Sequence, residues 1–96
     1  MLLERAELLI KEGQEEQFAA MMQRDGLKIL KAFPGVLSVN FGRGVENPGK
    51  FLLLVEWQSM QAHAAYNKAP ECRAFRELIA PFSRGGAMEH FNVSQA

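Results

Sequence analysis

The chain of 96 residues contains one cysteine, two histidines and one tryptophan. The single cysteine, Cys72, excludes an intrachain disulfide, so nothing points to an oxidising compartment. Because the two histidines and the cysteine are scattered along the sequence, we predict no metal-ligand cluster. No glycine-rich loop of phosphate-binding spacing occurs either.

The chain has no excess charge of either sign, since 11 basic residues balance 11 acidic ones. This balance argues against a nucleic-acid partner and against docking on an acidic membrane surface. Acidic residues interrupt the apolar run at the start of the chain, which is unlike a signal peptide. No run approaches the roughly 20 apolar residues of a membrane span. We therefore expect one cytoplasmic domain over residues 1–96.

The hydrophobic pattern predicts four strands and a helix between the first and second strands. A second helix, broken by Pro70, is predicted between the third and fourth strands, and 84–86 reads as a turn. This βαββαβ order is the ferredoxin-like α+β arrangement, in which helices cover one face of a four-stranded antiparallel sheet. The predicted strands span 2–10, 36–45, 50–57 and 87–93, and the predicted helices span 14–31, 59–67 and 70–80.

The third strand, FLLLVEW, is apolar on both faces. Phe51, Leu53, Val55 and Trp57 share one face, while Leu52 and Leu54 lie on the other beside Glu56. The chain's own helices can cover only one of these faces. Two sheets packed face to face in a homodimer would bury the second, whereas a monomer would leave a modest apolar patch.

Three polar residues share one side of the short predicted helix, because His63, Tyr66 and Asn67 are one turn apart. If that side faces a pocket, His63 could remove a phenolic or enolic proton, and Tyr66 and Asn67 could hold the resulting oxyanion. The alternative is that His63 points to solvent and Tyr66 packs as an ordinary amphipathic residue.

Four further residues have two or more interpretations. Trp57 could stack on a planar ligand or belong to the core. Asn40 could point into a pocket, face a dimer interface or bond to solvent. His90 could be catalytic but is interpreted as a structural or interface residue, and Glu56 would need a basic partner if it were buried.

The chain resembles the antibiotic biosynthesis monooxygenase family of the dimeric α/β-barrel superfamily. The resemblance rests on Phe33-Pro34-Gly35, the FLLLVEW-Gln-Ser run, the Ala69-Pro70 break and the closing Met-Glu-His-Phe strand. It implies a homodimer with a pocket between sheet and helices in each protomer. It also implies oxidation of a small aromatic, quinol- or anthrone-like substrate by O₂ without a cofactor.

Other branches of this superfamily imply other activities. The haem-degrading branch carries a histidine ligand at the position of Arg76, so this chain lacks the expected axial ligand. The family's frequent mid-helix histidine falls at Tyr66, and this chain has His63 instead. A lactone isomerase or cyclase, or a non-catalytic dimer that binds small molecules or is associated with stress, are the alternative functions.

Overall fold

The computed structural model describes residues 1–96. Its elements follow the predicted order, with four strands, four α-helices and one π-helical segment. The strands are β1 Leu2–Ile10, β2 Val36–Arg43, β3 Lys50–Trp57 and β4 Ser83–Asn92. The helices are α1 Glu15–Met21, α2 Leu27–Ala32, α3 Met60–Asn67 and α4 Pro70–Ile79, with the π-helical segment Met22–Gly26 joining α1 to α2.

The four strands form one antiparallel sheet in the order β2-β3-β1-β4. The helices pack on one face, here called the inner face, and leave the other, outer face without cover from this chain. Strand β3 shows the two environments, since Phe51, Leu53, Val55 and Trp57 are buried while the residues between them are only partly buried. The ferredoxin-like α+β prediction is confirmed.

Strand β4 begins at Ser83, so the predicted turn at 84–86 is wrong. Gly85 has a φ of +139°, and the pairing between β1 and β4 shifts register between Leu9 and Ile10. A Cβ atom on Gly86 would lie 2.4 Å from the carbonyl oxygen of Glu7. The glycines therefore continue the strand through a bulge, where the two backbones approach too closely for a side chain.

The first helical stretch is not a continuous α-helix, because residues Met22–Gly26 form a π-helical turn. This turn changes which side chains face the sheet. Met21 and Met22 are both buried, although neighbouring residues of a regular α-helix point about 100° apart. The prediction of an uninterrupted helix over 14–31 missed this change of pitch.

One end of the inner layer is an aromatic cluster made of Phe18, Phe41, Phe51 and Phe82. The ring of Phe18 meets that of Phe51 edge-on at 4.9 Å, and the rings of Phe41 and Phe51 stack at 5.5 Å. Phe18 and Phe51 are completely or almost completely buried. We call this region the aromatic end. It anchors the helical layer to the sheet by apolar burial.

None of the helices has the length and apolar character that crossing a membrane requires. The longest regular α-helix, α4, has 10 residues and an alternation of buried and exposed positions. Its buried side carries Phe75 and Ile79, which the sequence pattern had assigned to the core. The amphipathic pattern of α4 is the one expected of a helix that packs on a sheet.

Candidate functional site

A cavity of about 570 Å³ lies between the inner face of the sheet and helices α3 and α4. Its wall is mostly apolar and includes Ala6, Leu53, Phe75 and Ile79. The open side lies along β4, where Met88 remains half exposed because no helix covers this edge strand. The volume falls within the range of pockets that hold small organic molecules.

The start of α3 is held by two local interactions that orient the polar residues of the cavity. The Ser59 hydroxyl accepts a hydrogen bond from the Ala62 N–H at 3.1 Å, which caps the helix as predicted. Gly35, at a φ of +95°, packs against Ala62, and its carbonyl accepts a hydrogen bond from the Gln58 N–H at 2.7 Å. With the helix start fixed in this way, His63 faces inward.

Three residues from three separate elements meet beneath the cavity, and we call them the acid–histidine cluster: Glu4 of β1, His63 of α3 and His90 of β4. Glu4 and His90 are directly opposite each other in the sheet. The Oε1 atom of Glu4 lies 3.4 Å from Nε2 of His63 and 3.6 Å from Nε2 of His90. The expectation that the histidines are too scattered to share a site is therefore wrong.

Trp57 supports this cluster from the core. Its Nε1–H donates a hydrogen bond of 3.1 Å to Oε1 of Glu4, and its ring meets that of His63 edge-on at 5.2 Å. Trp57 is only 1% exposed and is not part of the cavity wall. It therefore orients the carboxylate rather than offering a face on which a ligand could stack.

Burial controls the charges in the cluster. Loss of hydration raises the pKa of Glu4, and the Trp57 hydrogen bond and the neighbouring His90 offset only part of this increase. Burial, followed by the proximity of His90, lowers the pKa of His63. His63 is therefore a neutral imidazole at neutral pH, with a lone pair that can accept a proton.

Tyr66 places a hydroxyl group beside the cluster. The residue is 6% exposed, and its ring packs edge-on against Phe33 at 5.1 Å. Burial, together with the neighbouring Cys72 and Glu4, raises the pKa of the hydroxyl, so it remains a hydrogen-bond donor at neutral pH. The hydroxyl oxygen is buried without a hydrogen-bond partner in the protein, as is Nε2 of His90. Buried polar atoms in native proteins rarely lack a partner.

The structure brings together three of the residues predicted from sequence, because His63, Tyr66 and Asn67 all line the cavity. Trp57 lies in the core behind the cluster, and Asn40 lies elsewhere. Asn40 pairs with Leu54 on the outer face and is exposed to solvent, so the sheet separates it from the cavity. Its placement follows from the register of β2 against β3, which the sequence pattern alone left open.

The sequence did not predict that Glu4 and His90 lie next to each other in the cluster. No role was predicted for Glu4 from the sequence, and His90 was interpreted as a structural or interface residue. A usable signal was present, since Glu4 alternates with Ala6, Leu8 and Ile10, which places it on the inward face. Only the pairing of β1 with β4 shows that His90 is its neighbour.

Glu56 proves not to need a basic partner. It lies on the outer face, where its carboxylate accepts a hydrogen bond from the Ser38 hydroxyl at 3.2 Å. Arg76, in contrast, lines the cavity and lies close enough to Tyr66 to act on its pKa. Arg76 is itself an exposed residue, so a positive charge is available at the rim of a mostly apolar cavity.

Comparison with known proteins agrees with this architecture. Residues 1–78 match the family model described as antibiotic biosynthesis monooxygenase. An uncharacterised protein of Bacillus subtilis (strain 168), YczJ, is 30% identical over 93 residues, which cover 95% of this chain and 97% of YczJ. Both matches extend over most of the domain, including β1, α3 and α4.

Solved structures give the same fold at lower sequence identity. A candidate antibiotic biosynthesis monooxygenase from Bordetella bronchiseptica superposes with a TM-score of 0.87 at 21% identity, covering 98% of this chain and 97% of that one. A second candidate monooxygenase, from Caulobacter crescentus, gives a TM-score of 0.82 at 18% identity, covering 98% and 90%. The family model, which matches residues 1–78, shows that this chain belongs to the antibiotic biosynthesis monooxygenase family.

Proposed function

We propose that this protein is a monooxygenase that oxidises a small hydroxylated aromatic molecule with O₂, without an organic cofactor. The substrate class is quinol- or anthrone-like, a planar ring system that carries a phenolic or enolic hydroxyl group. The observation that carries the proposal is the buried, neutral His63 at the base of an apolar cavity, beside the unpartnered hydroxyl of Tyr66. Membership of the family supports the same reaction class.

In the proposed reaction, His63 accepts the hydroxyl proton of the substrate, and Glu4, 3.4 Å from its Nε2, stabilises the imidazolium that forms. Tyr66 donates a hydrogen bond to the substrate oxyanion. The electron-rich ring carbon of the anion then reduces O₂ and forms a C–O bond, and the His63 imidazolium returns its proton to the peroxide, which gives a hydroperoxide. For an anthrone-like CH₂ group, loss of water from the hydroperoxide leaves a C=O group, so one oxygen atom enters the product and the other leaves as water.

The polarity of the cavity fits this division of roles. Its mostly apolar wall suits a planar ring, and His63 and Tyr66 in its lining supply the groups that could handle a proton. Asn67 lies on the same side of α3 and is proposed to bind the second polar group of the substrate. Arg76 at the rim is proposed to favour substrates that carry an additional negative charge, because its guanidinium group is exposed at the opening.

The test is an oxygen-uptake assay with anthrone and with a simple hydroquinone as probes, run with the purified chain and with two variants. His63→Ala removes the base, and Gln61→Ala changes an exposed residue of the same helix as a control. The proposal expects uptake of one O₂ per anthrone converted, lost in His63→Ala and retained in Gln61→Ala.

Either of two other results would contradict the proposal and favour an alternative function. Conversion of a probe at the same rate with and without O₂ would favour an isomerase or cyclase that uses the same base. Probe binding with no conversion, unaffected by His63→Ala, would favour a non-catalytic small-molecule-binding dimer.

We also propose that two copies of the chain pair through the outer faces of their sheets. Leu3, Leu52, Leu54 and Phe91 lie on this face, and Phe91 is 40% exposed. The charged residues between them form ion pairs, since Arg5 pairs with Glu7 and with Glu89, and Lys50 lies 3.9 Å from the second carboxylate oxygen of Glu7. A second copy would therefore meet a largely apolar face, on which Glu56, hydrogen-bonded to Ser38, is a carboxylate without a basic partner.

The molar mass of the protein in solution, measured by light scattering coupled to size-exclusion chromatography, tests the proposed homodimer. The wild-type chain should have twice the mass of one chain, and Leu54→Lys should reduce it to a monomer by placing an unpaired charge in the interface. Gln23→Lys, an exposed change on the helical side, should leave the mass unchanged. A wild-type mass of one chain would contradict the proposed dimer without affecting the assignment of the cavity.

A further inference from the structure

The acid–histidine cluster has the composition of a metal site. Two imidazoles and one carboxylate converge, and their ligand atoms all lie within 4.8 Å of one another. The residues come from β1, α3 and β4, so their convergence is a product of the fold rather than of sequence proximity. We propose that Glu4, His63 and His90 bind a first-row divalent transition-metal ion, with Zn²⁺ as the reference ion.

The two separations from Glu4 to the histidines require little rearrangement. Metal–nitrogen and metal–oxygen bonds of about 2.1 Å place neighbouring ligand atoms of a tetrahedral site about 3.4 Å apart. The distances from Oε1 of Glu4 to the two Nε2 atoms are 3.4 Å and 3.6 Å. Both therefore lie within a few tenths of an ångström of the tetrahedral spacing, and small side-chain rotations would close the difference.

Of the three proposed ligand atoms, only Oε1 of Glu4 takes part in a hydrogen bond within the protein, which it accepts from Trp57. Nε2 of His90 is buried and has no hydrogen-bond partner. Glu4 receives the Nε1–H of Trp57, an arrangement in which an outer hydrogen bond holds a ligating carboxylate in place. Both features are those of a pre-formed ligand set rather than of a closed hydrogen-bond network.

The donor set indicates the class of ion and the openness of the site. Imidazole nitrogen suits zinc, copper, nickel and iron, whereas calcium and magnesium prefer oxygen ligands. Three protein ligands leave at least one coordination position free, as in catalytic rather than structural zinc sites. Glu4 and His63 both line the cavity, so the free position would face the space assigned to the substrate.

This inference rests on the same residues as the proposed function and adds a consequence to it. The lone pair of His63 cannot bind a metal ion and accept a proton at the same time. A bound zinc ion should therefore inhibit the oxidation, and the chelator-treated protein should be the active form.

The first test is titration of chelator-treated protein with Zn²⁺ by calorimetry, in the absence of any substrate. We expect one ion per chain, no comparable binding of Mg²⁺, and weakening of more than about 100-fold in His90→Gln, since even outer hydrogen-bond partners are worth about 10–100-fold. His90 lies on an edge strand with its side chain 20% exposed, so this variant should fold. Glu77→Gln, on the exposed side of α4, is the control for surface binding.

Titration with Co²⁺ gives a second measurement that needs no variant, because its visible absorption reports coordination by a nitrogen- and oxygen-containing site. Absence of one-to-one binding, or equal Zn²⁺ affinity in His90→Gln and wild type, would overturn the metal site. Because binding is measured without substrate, this outcome leaves the oxidation proposal standing. A different result would be that the protein binds zinc and that chelation abolishes the oxidation. That result would support the metal site and would contradict the proposal that metal-free His63 acts as the base.

Discussion

The two ends of the inner layer serve different purposes, although β3 contributes to both, with Phe51 at one end and Trp57 at the other. At the aromatic end, Phe18 and Phe51 are buried without any polar group to satisfy, and their contribution is to stability. At the other end, Glu4 and His63 are almost as deeply buried but carry polar atoms that burial makes costly. The contrast teaches that burial alone does not identify the core, because these buried polar residues, together with the unpartnered hydroxyl of Tyr66, mark the candidate site instead.

The largest expected effect is on activity at the polar end. His63→Ala should lower kcat for an anthrone probe by about 100- to 10,000-fold, because general-base catalysis is typically worth that much. Steady-state oxygen uptake measures it, with circular dichroism to confirm that the variant is folded. A decrease of less than about threefold would remove His63 from the mechanism and weaken the distinction between the two ends.

At the aromatic end, the corresponding change should act on stability instead. Phe18→Ala should lower the free energy of unfolding by about 3–5 kcal/mol, because it removes a fully buried ring and leaves a cavity. Urea denaturation followed by circular dichroism measures this loss. Any remaining folded protein should keep its kcat, and a fall in kcat comparable to that of His63→Ala would contradict the separation of roles.

Tyr66→Phe should lower activity without lowering stability. Loss of the oxyanion donor should lower kcat by up to about 100-fold. Stability should be unchanged or rise by about 1 kcal/mol, because the variant removes a buried hydroxyl that has no partner in the protein. Paired measurements of oxygen uptake and urea denaturation test this. A clear loss of stability would show that the hydroxyl is satisfied within the fold.

The smallest expected effect concerns the helix that carries the site. Ser59→Ala should cost about 1 kcal/mol, because it removes the side-chain cap that accepts the Ala62 N–H. Thermal denaturation measures this cost. Ser59→Asp, which can cap the same helix, should restore stability, and equal losses in both variants would exclude capping as the cause.

Much of the architecture could be predicted from local pattern. The period of the apolar residues predicted the buried faces of α4 and β3, and Pro70 predicted the break between α3 and α4. The start of β4 was missed because Gly85 and Gly86 usually indicate a turn. Here they allow a bulge and a close backbone approach to Glu7, which depend on the neighbouring strand.

The residues of the candidate site also differ in whether local sequence pattern could predict them. His63 and Tyr66 could be predicted because they are one turn apart on a single helix, and local geometry places them together. Glu4 and His90 could not be predicted as their neighbours, since they are separated by most of the chain. Whether Trp57 and Asn40 line the cavity depends on sheet register, because a shift of one residue moves a side chain to the opposite face of the sheet.

The sequence by itself determined the order of elements, the apolar faces and the helix that carries His63, because these follow from periodicity and capping within short segments. Only the tertiary structure decided that Glu4, His63 and His90 share one site. Pairing of β1 with β4 brings Glu4 opposite His90, and packing of α3 on the sheet adds His63. Burial, a property of the assembled fold, then sets the charge states that the proposed chemistry uses.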